Sequence, residues 1–162
     1  MPRILIADDS ELSRKSLKNI FSRHNEWTLC GEAFDGHQAV LMAHELKPDL
    51  IILDVAMPMM DGLHAAIEIL RAEPSVPIIL YTLHNSAEIE LGGKRIGARK
   101  VISKMDNSEV LVETIRELLE QTATVQEKTP AQTELPKLML TDAELQSPVD
   151  PDGSPPAARA TN

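Results

Sequence analysis

Ile4-Leu5-Ile6-Ala7-Asp8-Asp9 near the start of the chain, and Leu50-Ile51-Ile52-Leu53-Asp54 further on, read alike: a short unbroken apolar run ending on acid. Branched side chains without polar alternation fit strands covered on both faces, as in a parallel sheet. Parallel strands deliver whatever follows them to one carboxyl edge, where ligands of open α/β sheets bind. Asp8, Asp9 and Asp54 would therefore meet at that edge. Three clustered carboxylates repel one another, and a cation among them relieves the cost. A hard divalent ion such as Mg²⁺ suits an all-oxygen donor set. One of the carboxylates could then act as a nucleophile toward a phosphoryl group.

Working outward, strand-like and helix-like segments alternate from residue 3 to about 121. The first strand, 3–7, leads to a helix at about 11–23 that Ser10 or Asp9 would cap, with Leu12, Leu17, Ile20 and Phe21 on one face. A strand at 27–33 ends at Asp35-Gly36, and a helix carrying Val40, Leu41, Ala43, His44 and Leu46 closes at Lys47-Pro48. The third strand is 49–53. Met57-Pro58 and Asp61-Gly62 lie in the loop after it, and a helix at 62–72 follows. Pro77-Ile78-Ile79-Leu80-Tyr81-Thr82 is the fourth strand. The segment 85–96 is the weakest helix, because Gly92-Gly93 sits near its end. A strand at 99–103 precedes a helix at 107–121, with Val110, Leu111, Thr114, Ile115, Leu118 and Leu119 at helical spacing. Five such units imply an α/β fold, a five-stranded parallel sheet with helices on both faces.

Composition narrows the function. A net charge of −9 over 162 residues argues against direct nucleic-acid binding, which requires clustered Lys and Arg. The four aromatic residues offer no stacking platform for bases. Cys30 is the single cysteine, which excludes a disulfide framework, and its apolar neighbours suggest a buried structural thiol. No apolar run is long enough to span a membrane and no signal-peptide pattern opens the chain, so a cytoplasmic protein is expected. His24, His37, His44 and His64 have no metal-ligand spacing. Six of the eleven prolines fall in 122–162, which reads as a mostly disordered acidic tail after a domain at 1–121. Thr141 and Glu144 within it have capping-box spacing, enough for a short helical turn.

Asp8-Asp9, Asp54 with Met57-Pro58 and Asp61-Gly62, Thr82, and Lys104 stand in order at the ends of four different strands. In that order the chain resembles a response-regulator receiver domain of two-component signalling. Tyr81-Thr82-Leu83-His84 and Lys104-Met105-Asp106 are most similar to receivers attached to LuxR-type helix-turn-helix domains. The resemblance implies the flavodoxin-like strand order 2-1-3-4-5. It makes Asp54 the phospho-acceptor, attacking a phosphohistidine of a sensor histidine kinase or histidine phosphotransfer protein. Mg²⁺ would be held by Asp9, Asp54 and the main-chain carbonyl of Ala56, with Asp8 acting largely through water. Lys104 and Thr82 would contact phosphoryl oxygens, and His84 and Ala56 would govern water access. The resemblance further implies a downstream protein target and a phosphorylation-dependent homodimer, the latter not demanded by the apolar pattern. It implies a signalling module with at most slow self-dephosphorylation, not an enzyme.

Three features depart from the family pattern. Val101 stands where many receivers carry Tyr or Phe, and valine has no comparable side chain to swing between two positions. Met105 replaces a proline whose peptide bond is often cis, leaving a trans bond or a strained cis bond open. No complete helix-turn-helix follows. A transcription regulator lacking its DNA-binding half is therefore one alternative. An aspartyl-nucleophile phosphatase is another, although such enzymes place a second acid where this chain has Ala56.

Overall fold

The computed structural model describes residues 1–127. Strands β1 (Arg3–Ala7), β2 (Thr28–Ala33), β3 (Leu50–Leu53), β4 (Ile78–Thr82) and β5 (Lys100–Ser103) alternate with helices α1 (Glu11–Phe21), α2 (Gly36–Leu46), α3 (Gly62–Ala72), α4 (Ala87–Ile96) and α5 (Ser108–Glu127). All four strand pairings are parallel, and the order is β2-β1-β3-β4-β5. This is the flavodoxin-like arrangement the sequence implied.

The unbroken apolar runs divide between two cores because successive strand residues point to opposite faces. Ile4, Ile6, Leu50, Ile52, Ile79 and Ile102 pack with Leu17 and Phe21 of α1 and Leu111 and Ile115 of α5. Leu5, Ala7, Ile51, Leu53, Ile78 and Leu80 pack with Ala39 and Ala43 of α2 and Ala65, Ala66 and Ile69 of α3. The small alanines let α2 and α3 lie close to the sheet, which holds the edge loops in register.

Four sequence expectations shift. Leu12, expected on the buried face of α1, is 78% exposed; that face carries Arg14, Leu17 and Phe21. Leu12 precedes Leu17 by five residues, roughly 140° around a helix, so both cannot face the sheet. On α2, Leu41 is likewise exposed, and the small Ala39 and Ala43 make the contact. Cys30 is half-buried on the edge strand β2, where its Sγ–H donates to the Ile4 carbonyl at 3.3 Å. Helix α5 runs to Glu127 rather than 121, and the Thr122 and Thr124 hydroxyls donate back to the carbonyls of Leu118 and Glu120. The proline-rich stretch beyond, with Thr141 and Glu144, lies outside the described residues.

The second glycine of the pair that weakened the reading of α4 has a packing role. A Cβ at Gly93 would meet Leu80 Cδ1 at 2.9 Å and Val101 Cγ2 at 3.0 Å, so glycine lets α4 close onto β4 and β5. Gly97 ends the helix with φ of 95°, the left-handed cap that glycine adopts without strain.

Candidate functional site

Strand register brings the acids together. Ile4 pairs with Leu50 and Ala7 with Leu53, so Asp8 and Asp54 leave adjacent strands at the same level. The ladder continues one step past the strands: Asp54 N–H donates to the Ala7 carbonyl at 2.8 Å and Asp8 N–H to the Ala33 carbonyl at 3.1 Å. Asp8, Asp9 and Asp54 each present a carboxylate oxygen within 4.8 Å of the others. Asp8 and Asp54 are buried, 1% and 4% exposed, while Asp9 is open to solvent.

Lys104 sits between the two buried acids. Its Nζ lies 2.7 Å from Asp8 Oδ2 and 2.9 Å from Asp54 Oδ2, with only 9% of its side chain exposed. The backbone fixes that position, since Lys104 N–H donates to the Thr82 carbonyl at 2.8 Å. Burial alone would lower the lysine's pKa, but hydrogen bonds and attraction from Asp8 and Asp54 outweigh it and raise the value. Burial pushes the Asp54 carboxyl up despite Lys104, and the Asp8 charge adds to the push. One ammonium between two buried carboxylates leaves negative charge uncompensated, and the opening toward Asp9 is where a further cation would sit. The side-chain donors are carboxylate oxygens alone, two held in the interior and one at the surface. That chemistry fits a hard divalent ion that keeps some of its waters.

Thr82, 2% exposed, ends β4 beside this group, and its Oγ1 accepts the His84 N–H at 3.4 Å. His84 itself is exposed. Ala56 is exposed as well, and its N–H donates to Asp54 Oδ1 at 3.3 Å. The loop from β3 to α3 is closed by the Gly62 N–H on the Val55 carbonyl at 2.9 Å. Asp61 caps α3 through the His64 N–H at 2.9 Å.

The Lys104–Met105 peptide is trans, as are all peptide bonds among the described residues. The turn has its own closure: Met105 N–H donates to Ser103 Oγ at 3.1 Å, and Ser103 N–H to Asp106 Oδ2 at 3.1 Å. A proline at 105 would lack the first of these donors. Val101 packs into the core beneath α4. The other histidines stand apart from the acids: His24 stacks on Trp27 at 5.0 Å between ring centroids, His64 bonds Asp61 at 2.7 Å, and His37 and His44 are exposed.

Two contributors escaped the sequence reading. Asp8 Oδ1 accepts the Ser10 N–H at 2.9 Å, and Asp8 Oδ2 accepts the Ser13 hydroxyl at 2.5 Å. Arg14 Nη1 donates to the carbonyl of Asp8 at 2.7 Å. The signal for Arg14 was a charged residue three and seven positions before Leu17 and Phe21, on the buried face; Ser13 gave no comparable signal. Ser13→Ala leaves a buried carboxylate one donor short, so the fold is expected to lose about 1.5–3 kcal/mol, the scale of a bond to a charged group. Urea unfolding checks it, and an unchanged midpoint would show the bond to be energetically idle.

A parallel α/β sheet carrying buried acids around a lysine at its carboxyl edge defines the class of protein. The sequence profile of the response regulator receiver domain matches residues 4–116, and the chain belongs to that family. It is 36% identical over 115 residues to the transcriptional regulatory protein YdfI of Bacillus subtilis, a match covering 71% of this chain and 54% of that protein. The chain thus spans about half the length of the curated regulator it matches. The response regulator domain of Thermotoga maritima CheB superposes with a TM-score of 0.64 at 32% identity, covering 80% of this chain and 99% of that domain. A LuxR-family response regulator from Aurantimonas shares the fold, with a TM-score of 0.72 at 24% identity over 75% of this chain and 86% of the other. Receivers of this family serve two-component signalling, and no described helix is long and apolar enough to cross a membrane.

Proposed function

We propose that this chain accepts a phosphoryl group on Asp54 from a phosphohistidine of a sensor histidine kinase or histidine phosphotransfer protein, and switches partner binding in response. The observation that carries the reading is the Lys104 ammonium held between Asp8 and Asp54, at 2.7 and 2.9 Å, with Thr82 alongside. A carboxylate oxygen of Asp54 attacks phosphorus, the phosphorus–nitrogen bond to the donor imidazole breaks, and an acyl phosphate forms. Bound Mg²⁺ would neutralise the charge spread over the phosphoryl oxygens. Asp8, Asp9, Asp54 and the Ala56 carbonyl would hold that ion. Lys104 would follow the new negative charge from the Asp54 carboxylate to a phosphoryl oxygen, a charge-assisted contact. Thr82 would turn its hydroxyl to a second oxygen, giving up the His84 N–H.

A phosphoryl group adds roughly two negative charges. The changed positions of Thr82 and the loop after it would then be read by a target that prefers one state. Ala56 leaves the site without the second acid that an aspartyl phosphatase uses, which supports a slow release of phosphate and a signalling role. The match to about half of a transcriptional regulator supports a second reading, in which this receiver governs a DNA-binding partner or segment.

Incubation with a small phosphodonor and Mg²⁺ tests the reading by intact-mass measurement. The wild type is expected to gain one phosphate, and Asp54→Asn or removal of Mg²⁺ by a chelator is expected to abolish the gain. A phosphate gain of equal size in Asp54→Asn would overturn the assignment.

A further inference from the structure

We propose that Arg14 is a positioning residue for divalent-cation binding: it fixes the main chain of the acidic loop so that the Asp9 carboxylate stays at the mouth of the site. The proposal deepens the receiver reading and rests on it. Arg14 occupies the sheet-facing side of α1 with Leu17 and Phe21, a place where a guanidinium is costly unless something uses its donors. Nη1 donates to the Asp8 carbonyl at 2.7 Å and the Asp9 carbonyl at 3.2 Å. The guanidinium lies over the Phe34 ring, 4.4 Å from its centroid. Glu32 Oε2 stands 3.5 Å from Nε, near enough for charge attraction, yet the buried Nε makes no hydrogen bond. Lys18 pairs with the other Glu32 oxygen at 3.0 Å. The group is therefore clamped from the β2 side, and its best hydrogen bonds go to the acidic loop.

The two acids on that loop are held in different ways. The Asp8 side chain is tied by the Ser10 N–H, the Ser13 hydroxyl and Lys104. The Asp9 carboxylate is exposed and has no hydrogen bond or ion pair among the described residues; its main-chain carbonyl is bonded by Arg14. What the fold fixes for Asp9 is therefore its backbone and the Cα–Cβ bond that sends the carboxylate outward, and that backbone is pinned by the guanidinium. Pre-ordering the loop reduces what a cation must order on arrival. Groups that orient a ligand from outside the coordination sphere commonly contribute about 10–100-fold in metal affinity.

Calorimetric titration with Mg²⁺ at fixed ionic strength, on wild type, Arg14→Met, Arg14→Lys and Phe34→Ala, tests the proposal. Arg14→Met is expected to weaken Mg²⁺ binding by about tenfold or more. Arg14→Lys keeps the charge but loses the flat guanidinium that lies over Phe34, so it is expected to weaken binding as well. Phe34 is half-exposed, so Phe34→Ala keeps the fold, frees the guanidinium, and is expected to weaken binding in the same direction by less; it carries the test if the Arg14 variants do not fold. Unchanged Mg²⁺ affinity in Phe34→Ala and in any folded Arg14 variant would overturn the proposal. So would a loss of thermal stability without a loss of affinity. A wild type that neither binds Mg²⁺ nor takes up phosphate would overturn the receiver reading, and this inference with it.

Discussion

Lys104→Met is expected to destabilise the metal-free protein by roughly 3 kcal/mol, because removing one partner of a buried ion pair leaves the other charge uncompensated. Here two charges are left, Asp8 and Asp54, both nearly inaccessible to water. In a chain of this length such a loss lowers the unfolding midpoint by on the order of 10 °C. The dependence on pH has a definite sign. Asp54 already has a folded pKa above its ordinary value through burial, and Lys104 is what restrains it. Without the lysine the folded value rises further. The unfavourable charge is then fully present above that raised value and disappears as pH falls below it, where Asp54 binds a proton in the folded state. The deficit of the variant relative to wild type should therefore shrink on acidification. Asp54→Asn in the same background should recover part of the loss, and Mg²⁺ should stabilise Lys104→Met more than wild type. Thermal unfolding followed by circular dichroism, with chelator and with Mg²⁺, measures all of these. A Lys104→Met protein as stable as wild type at neutral pH without metal would show that the two carboxylates are better solvated than their burial indicates.

Gly62→Ala is the second large effect expected. A Cβ at this position would collide with the Asp54 carbonyl oxygen and would lie 2.8 Å from the Asp54 carbonyl carbon and 2.9 Å from Val55 Cα. All three are backbone atoms directly around the proposed acceptor, so relief requires moving Asp54 itself. Overpacking of this kind costs about 1–3 kcal/mol, and rigid backbone neighbours place Gly62→Ala at the upper end. The displaced Asp54 should also take up phosphate more slowly. Gly92→Ala supplies the contrast, because its Cβ would meet only Leu63 Cδ1 at 3.8 Å. That change is expected to stabilise α4 by up to about 1 kcal/mol through helix propensity. Urea midpoints for the two variants should move in opposite directions, and a Gly62→Ala protein with wild-type stability and uptake would contradict the close approach.

The sheet and the acids were legible because their signal is local. A run such as Ile4-Leu5-Ile6-Ala7 cannot bury both faces except in the middle of a covered sheet, and the residue after each run has only the carboxyl edge to occupy. What stayed hidden depends on contacts across elements. Leu12 looked like a core residue until the geometry of α1 put Arg14 on the sheet side, and nothing near Arg14 in sequence announces the Phe34 ring that covers it. The hydroxyl of Ser13 is invisible for the same reason. Gly92-Gly93 argued locally against a helix, whereas Gly93 is there for the Leu80 and Val101 side chains that α4 rests on. The open question at Met105 was settled by neighbouring donors and acceptors, Ser103 and Asp106, that close the turn without a proline.

The most direct test of the account is to locate the acyl bond. Borohydride reduces an aspartyl phosphate to homoserine, marking the acceptor residue permanently. After phosphodonor and Mg²⁺ treatment, reduction and peptide mapping by mass spectrometry, the account predicts homoserine at position 54 and unmodified Asp8 and Asp9. Homoserine at 8 or 9, or an unmodified Asp54 in protein that had gained phosphate, would contradict it.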